Sequence, residues 1–229
     1  MEKSILEEQT AYYKARAAEY DEWHLRQGRY DRGAEHRIKW FSELDAVRSA
    51  LTREKPLGDC LELACGTGLW TATLADLSTN LTAIDAVPET LEINRGKTGK
   101  GHVRFVVADI FEWESDQIYD FIFFGFWLSH VPPELFDRFW AMVDRALKPE
   151  GRVFFVDSLK TRDSTAIDHT RIDDSGTAER KINNGKTFKI IKIFYDLSQL
   201  KKSLLDLNFS GTFRKTGDFF YYGCVTKCV

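Results

Sequence analysis

The segment LELACGTGLW, residues 61–70, carries two glycines where an apolar strand pattern gives way to a helical one. Alternating apolar residues precede Gly66 and Gly68, and a helical pattern resumes directly after them. Such a turn presents backbone N–H groups and the positive end of a helix dipole to an anionic or acceptor-rich ligand. The sequence therefore predicts a ligand site at the end of this strand.

Asp85 ends the next strand pattern, LTAIDA. In a doubly wound sheet these two strand ends are neighbours, so the Asp85 carboxylate can accept hydrogen bonds from both ribose hydroxyls of a nucleoside. The alternative is a helix-capping aspartate before Val87-Pro88. A dinucleotide site would carry a third glycine where this chain has Thr71, and the Gly-Lys-Ser/Thr sequence of a P-loop does not follow the glycines. A ligand with a ribose but no diphosphate fits best.

His130 is the titratable side chain of greatest chemical interest, and it lies in FWLSHVPP after the fourth strand pattern. A histidine with an ordinary pKa of about 6.5 can take a proton from a hydroxyl near neutral pH. It can equally orient the turn before Pro132-Pro133 and take no part in the chemistry. The sequence leaves both roles open.

The elements that must position these residues alternate between strand and helix. The strand patterns are DCLELA, LTAIDA, HVRFVVAD, YDFIFFGFW and GRVFFVDS. Apolar strands in this arrangement predict a parallel sheet that is covered on both faces. Residues 1–55 have helical patterns, and we predict that they form an N-terminal cap of the same domain as residues 56–229.

The regular alternation of strand and helix patterns ends after Ser158, and a polar segment follows. Residues 160–185 are too hydrophilic for a core, and we interpret them as a mobile lid at the mouth of a pocket or a plain surface loop. The segments KTFKIIKIFYD and GTFRKTGDFFYYGCVTK alternate in polarity on either side of a helical pattern. We expect both to extend the sheet, with an antiparallel pair at its edge.

Composition restricts the class of protein. The 229 residues are 43% apolar and 29% charged, as in an ordinary globular chain. The net charge of −3 leaves no excess of Lys and Arg to neutralise a nucleic acid. Neither a signal-peptide pattern nor an apolar run of about 18 residues is present, so we expect a cytoplasmic protein without a membrane partner. We interpret Lys181, Lys186, Lys189, Lys192, Lys201 and Lys202 as a solvated face.

The ordered motifs LELACGTG, LTAIDA, VVADIF, FIFFGFWLSHV and LKPEGRVFFVDS closely resemble the class I S-adenosylmethionine-dependent methyltransferases. The resemblance covers roughly residues 57–160. It implies a Rossmann-like, doubly wound sheet of seven strands, mostly parallel with an antiparallel final strand, and a helical N-terminal cap. It also implies that S-adenosylmethionine binds over the carboxyl ends of the strands and leaves as S-adenosylhomocysteine.

The same resemblance implies a set of site residues. The cofactor residues would be Glu62, Ala64 and Gly66 at the methionine part, Asp85 at the ribose, Ala86, Asp109, Ile110 and Phe111 at the adenine, Gly125 and Phe126 below the sulfonium, and Tyr20 and Tyr30 from the cap. The acceptor pocket would contain Tyr12, Trp23, Trp127 and His169. Ala64 stands where many members of the family carry glycine.

The expected reaction is methylation of a small molecule by a monomer or homodimer. The segment GFWLSHVPP differs from the Asp/Asn-Pro-Pro-Tyr/Phe motif of amino-methylating nucleic-acid enzymes, and no residue cluster has metal-ligand spacing. The aromatic content of 14% suggests a planar or apolar acceptor. Oxygen is the first choice of acceptor atom and nitrogen the second, while a carboxylate would need no base. A nucleotide-dependent oxidoreductase and a non-catalytic S-adenosylmethionine-binding protein are the alternatives.

Overall fold

The computed structural model describes residues 4–169 and 176–228. The helices are α1 (Ile5–Arg16), α2 (Tyr20–Leu25), α3 (Ala34–Thr52), α4 (Thr71–Leu77), α5 (Pro88–Thr98), α6 (Phe136–Ala146) and α7 (Leu197–Asp206). The strands are β1 (Asp59–Leu63), β2 (Asn80–Asp85), β3 (Val103–Val107), β4 (Tyr119–Gly125), β5 (Leu147–Ser158), β6 (Thr177–Lys181), β7 (Thr187–Ile191), β8 (Phe209–Lys215) and β9 (Phe220–Lys227).

Seven strands form one sheet in the order β3-β2-β1-β4-β5-β9-β8. Strands β1 to β5 pair in parallel, and β9 runs antiparallel to both β5 and β8. The predicted doubly wound sheet with an antiparallel final strand is therefore confirmed, and α1 to α3 supply the predicted N-terminal helices. Strand order reverses between β1 and β4, and such a switch point leaves a crevice at the carboxyl ends of the strands.

The central strands are apolar because both faces of the sheet are covered. In β4, Phe121 and Phe123 pack into one core while Ile122 and Phe124 pack into the other. This alternation follows from the two-residue period of a strand. Trp40 of α3 lies in the first of these cores, so α3 is packed onto the sheet as part of the hydrophobic interior.

The prediction that KTFKIIKIFYD extends the sheet is wrong. This segment forms β7, which pairs only with β6 in a separate two-stranded antiparallel sheet. The turn between them contains Asn184-Gly185, with Gly185 at φ +89°, a typical hairpin turn sequence. Phe188 and Ile190 of β7 pack against Tyr12 of α1, so their apolar side chains are buried against the N-terminal helix and not against the main sheet.

The polar segment 160–185 is not a plain loop, because β6 lies within it. Residues 170–175, on which part of the lid hypothesis falls, lie outside the described residues.

Two further features concern the class of protein. Over residues 4–169 and 176–228, no helix has the length and apolar character needed to cross a membrane, and no group of three or more His, Cys, Asp or Glu residues could hold a metal ion. All four cysteines are free thiols. Cys60 and Cys65 are buried, whereas Cys228 is exposed.

Candidate active site

A cavity of about 810 Å³ opens at the carboxyl ends of β1, β2 and β4, beneath α1. The predicted cofactor residues that line this first cavity are Tyr20, Ala64, Gly66, Asp85, Ala86, Asp109, Ile110, Phe111, Gly125 and Phe126. Trp127, which we predicted for the acceptor pocket, also lines it, as does His130.

The two glycines of the turn after β1 have different functions. Gly66 has φ +52°, and a Cβ added there would meet nothing within 4 Å, so its backbone borders open space in the first cavity. Gly68 has φ +88°, and a Cβ there would lie 2.4 Å from Asn94 Oδ1. The Gly66 backbone is therefore open to the first cavity, while Gly68 allows the turn to pack closely against α5.

Asp85 organises the mouth of this cavity. Its Oδ2 accepts a hydrogen bond from Gly66 N–H (2.8 Å), and its Oδ1 accepts from Val87 N–H (2.9 Å) and the Thr90 hydroxyl (3.2 Å). Burial raises the pKa of this carboxyl. A carboxylate has about four acceptor sites, so these three bonds leave capacity for one ribose hydroxyl. Asp85 therefore holds the turn that leads into α5, whose N-cap residue is Val87, and this structural role is compatible with ligand binding.

The Glu62 carboxyl is a buried polar group with an unpaired oxygen atom. Its side chain is buried, and Oε2 has no hydrogen-bond partner in the described structure. Burial raises the pKa of Glu62 to about 8, a hydrogen bond from Thr71 opposes the rise, and Asp85 adds to it. Glu62 lines a smaller cavity of about 280 Å³ that shares Ala64 and Gly66 with the first. An ammonium group fits beside this carboxyl, so these residues suit the methionine part of S-adenosylmethionine.

Two residues other than glycine adopt left-handed backbone conformations at the strand ends of the site. Ala64 follows β1 with φ +52°, and Phe126 follows β4 with φ +58°. Each conformation costs about 1–2 kcal/mol for an L-residue. The left-handed backbone explains why many members of the family carry glycine where this chain has Ala64. Such strain concentrates at functional sites.

A second cavity of about 580 Å³ adjoins the first, and four residues, Tyr13, Tyr20, Phe126 and His130, line both cavities. The second cavity contains three residues that we predicted for the acceptor pocket, Tyr12, Trp23 and His169. Tyr30, which we predicted for the cofactor, also lies here and not in the first cavity.

His130 is held at both ring nitrogens. Nδ1 lies 2.6 Å from the Ile191 carbonyl oxygen, which can only accept, so Nδ1 carries the proton. Nε2 lies 3.0 Å from the Tyr13 hydroxyl and therefore accepts from it. Burial lowers the pKa of His130 well below its usual value, and the nearby Lys192 lowers it further. The imidazole is neutral, and it reaches an acceptor proton only through Tyr13.

Several site residues were missed at the level of sequence. Gln9 of α1 donates to the His130 carbonyl (3.2 Å) and accepts from Ile191 N–H (3.1 Å), which ties the cap to β7.

Lys192 is not part of a solvated face, since its side chain is only 10% exposed. The two-residue period could have shown this, because Lys192 has the same parity as the buried Phe188 and Ile190.

Comparison with known proteins agrees with this site. A family model described as a methyltransferase domain matches residues 60–151. The protein solved as the DhpI–SAH complex is 31% identical, with 100% of this chain and 99% of that chain covered and a TM-score of 0.82. The DhpI–SAM–HEP complex is 30% identical, covers 98% of this chain and 99% of that chain, and has a TM-score of 0.82.

A shorter match is to nodulation protein S of Rhizobium tropici, 35% identical over 68 residues, which are 29% of this chain and 29% of that protein. The oxidoreductase and non-catalytic alternatives do not agree with these matches. The full-length similarity to a protein solved with SAM and with SAH, together with a cavity built from the expected cofactor residues, shows that this chain belongs to the S-adenosylmethionine-dependent methyltransferases.

Proposed function

We propose that this enzyme methylates an oxygen atom of a small molecule bound in the second cavity, with nitrogen as the next choice of acceptor atom. The observation that carries this proposal is that the two cavities adjoin, because Tyr13, Tyr20, Phe126 and His130 line both. Most of the predicted cofactor residues line the first cavity, which leaves the second cavity for an acceptor beside it. The similar protein DhpI was solved in a complex with SAM and HEP together.

The cofactor supplies a methyl group that is already activated on a sulfonium. The chain's residues must bring the nucleophile in line, at a near-attack distance of about 3–3.5 Å. Tyr13 and Tyr20 line both cavities, and the Trp23 ring packs edge-on to the Phe126 ring with 4.7 Å between ring centroids. Aromatic faces attract cations, and their apolar surfaces exclude water from the transfer point.

We propose that His130 acts as a positioning residue, because both of its ring nitrogens are already hydrogen-bonded. His130→Asn retains a donor toward the Ile191 carbonyl and should keep turnover within about tenfold of wild type, whereas a lost general base costs about 100-fold or more. The pH profile of turnover should show no inflection from His130 near neutrality, because its pKa is well below the usual range. Steady-state kinetics across pH for wild type, His130→Asn and His130→Ala would measure this.

A loss of about 100-fold in both variants at unchanged cofactor affinity, with a wild-type inflection between about pH 6 and 7, would instead assign His130 as the base acting through Tyr13.

Filling the second cavity tests the proposed function. Thr165 lines this cavity only, so Thr165→Trp should abolish transfer of a labelled methyl group from S-adenosylmethionine into a small-molecule extract. Calorimetric affinity for S-adenosylhomocysteine should remain within about twofold of wild type. The control is Ile167→Trp, since Ile167 is 60% exposed and lines neither cavity. Undiminished methyl transfer by Thr165→Trp would show that the acceptor binds elsewhere.

A further inference from the structure

Three buried cations line the second cavity. Arg16 is 8% exposed, Arg180 is 6% exposed, and the Lys192 side chain is 10% exposed. Among the residues that the structure describes, no Asp or Glu lines this cavity. Burying a charge is costly unless it is paired, so this arrangement needs a compensating group.

The partners of the two arginines are neutral. Arg16 Nη1 donates to the Tyr12 hydroxyl (2.8 Å), and Nη2 donates to the Tyr30 hydroxyl (3.1 Å). The Arg16 guanidinium also lies 4.9 Å from the centroid of the Tyr20 ring. Arg180 Nη1 donates to a backbone carbonyl at 3.3 Å. Each tyrosine hydroxyl accepts from Arg16 and so keeps its own proton for donation to a ligand.

Lys192 has the nearest carboxylate. Its Nζ donates to Ser129 Oγ (2.7 Å) and lies 3.5 Å from Asp157 Oδ1. Asp157 is fully buried and also accepts from Ser129 N–H (2.8 Å) and Ser158 N–H (2.7 Å). Within residues 4–169 and 176–228, Asp157 is the one carboxylate in ion-pair contact with any of the three cations. Two positive charges are therefore left without a compensating carboxylate there.

The two histidines that line the second cavity, His130 and His169, add no positive charge to it. Burial lowers the pKa of His169 to about 3, and the positive charges of Arg180 and Arg29 lower it further. His130 is neutral for the reasons given above. Neither buried ring nitrogen of His169 makes a hydrogen bond of ordinary geometry, which leaves His169 able to contact a ligand.

We infer that the methyl acceptor is an oxyanion, held in the second cavity by Arg16, Arg180 and Lys192. This inference rests on the proposed function, because it places the acceptor in that cavity. Arg16 and Arg180 have no carboxylate partner among residues 4–169 and 176–228, and two such positive charges match a doubly charged group such as a phosphate better than a single carboxylate. Guanidinium groups also match the geometry of both kinds of oxyanion.

An oxyanion acceptor removes the need for a base. The anionic oxygen forms a bond to the methyl carbon while the carbon–sulfur bond breaks and its electron pair stays on sulfur. No proton moves, and the product is a methyl ester with one negative charge fewer than the acceptor. This agrees with His130, whose nitrogens are both engaged. The aromatic residues that suggested a planar or apolar acceptor instead surround Arg16 with hydroxyls and ring faces.

The test measures anion binding directly. Inorganic phosphate and acetate would be titrated separately by calorimetry into the protein with S-adenosylhomocysteine bound. Lys192→Met and Arg180→Met should each weaken binding of the preferred anion at least about tenfold, which is about 1.4 kcal/mol. Lys189→Met is the matched control, because it removes the same charge from an exposed position on β7, the strand that directly precedes Lys192. The bound anion should also raise the melting temperature of wild type.

Each outcome has a separate meaning. Preference for phosphate supports a doubly charged acceptor, and preference for acetate supports a carboxylate. If wild type binds S-adenosylhomocysteine but neither anion, or if Lys189→Met weakens binding as much as Lys192→Met, the inference is wrong while the methyltransferase function stands. Failure to bind S-adenosylhomocysteine would count against the proposed function itself. Unchanged affinity for S-adenosylhomocysteine in both cavity variants shows that they are folded.

Discussion

Asp85→Ala is expected to weaken the binding of S-adenosylhomocysteine by at least about 100-fold, or about 2.7 kcal/mol. We expect the Asp85 carboxylate to accept a hydrogen bond from a ribose hydroxyl, and a hydrogen bond to a charged group contributes about 1.5–3 kcal/mol. The substitution also releases Gly66 N–H and Val87 N–H, which Asp85 holds at the mouth of the first cavity. Calorimetric titration of both proteins with S-adenosylhomocysteine gives the ratio of affinities.

The control for this prediction is Asp116→Ala, because Asp116 forms an exposed ion pair with Arg104. Its affinity for S-adenosylhomocysteine should match that of wild type. The capping interpretation of Asp85 makes a different prediction, a loss of about 1 kcal/mol of stability with normal cofactor affinity. An unchanged dissociation constant for Asp85→Ala would therefore leave helix capping as the function of this residue.

Glu62→Gln is expected to weaken cofactor binding and to stabilise the ligand-free protein at alkaline pH. The pKa of Glu62 in the folded protein is about 8, above the ordinary value of 4.5. Because the unfolded chain releases this proton first, the contribution of Glu62 to stability falls as pH rises from about 4.5 to about 8. Each unit of pKa difference corresponds to 1.36 kcal/mol, so the loss is on the order of several kcal/mol. Gln carries no charge and removes this loss.

Thermal unfolding of the ligand-free proteins at pH 5 and pH 8 measures the stability effect. We expect the melting temperature of wild type to fall more between these values than that of Glu62→Gln. The ammonium of the cofactor stabilises ionised Glu62, so cofactor binding by wild type at pH 6 should release a proton, and binding by the variant should not. Calorimetry in buffers of different ionisation enthalpy detects that proton. The exposed Glu150→Gln serves as the control, and an identical pH response of Glu62→Gln and wild type would contradict the assignment.

The local sequence patterns of the chain were sufficient to predict the sheet and most of the residues that line the first cavity. Apolar strand segments and intervening helices are properties of short stretches, and the order of those stretches determines which strand ends meet at the switch point. Gly66 and Asp85 both lie at such ends, so their proximity follows once the doubly wound sheet is recognised. Most of the implied cofactor residues line the cavity for the same reason.

The second cavity is a product of tertiary structure alone. Arg16 comes from α1, Arg180 from β6 and Lys192 from the residue after β7, and they meet because the β6–β7 hairpin packs on α1 and does not extend the sheet. A two-residue period indicates which side chains share a face, but not which surface that face will cover. The neutral state of His130 likewise depends on burial and on Lys192, which lies 62 positions further along the chain. The local sequence determines which residues form each strand of the sheet. The charge and burial of the residues that line the second cavity arise only when distant segments pack together.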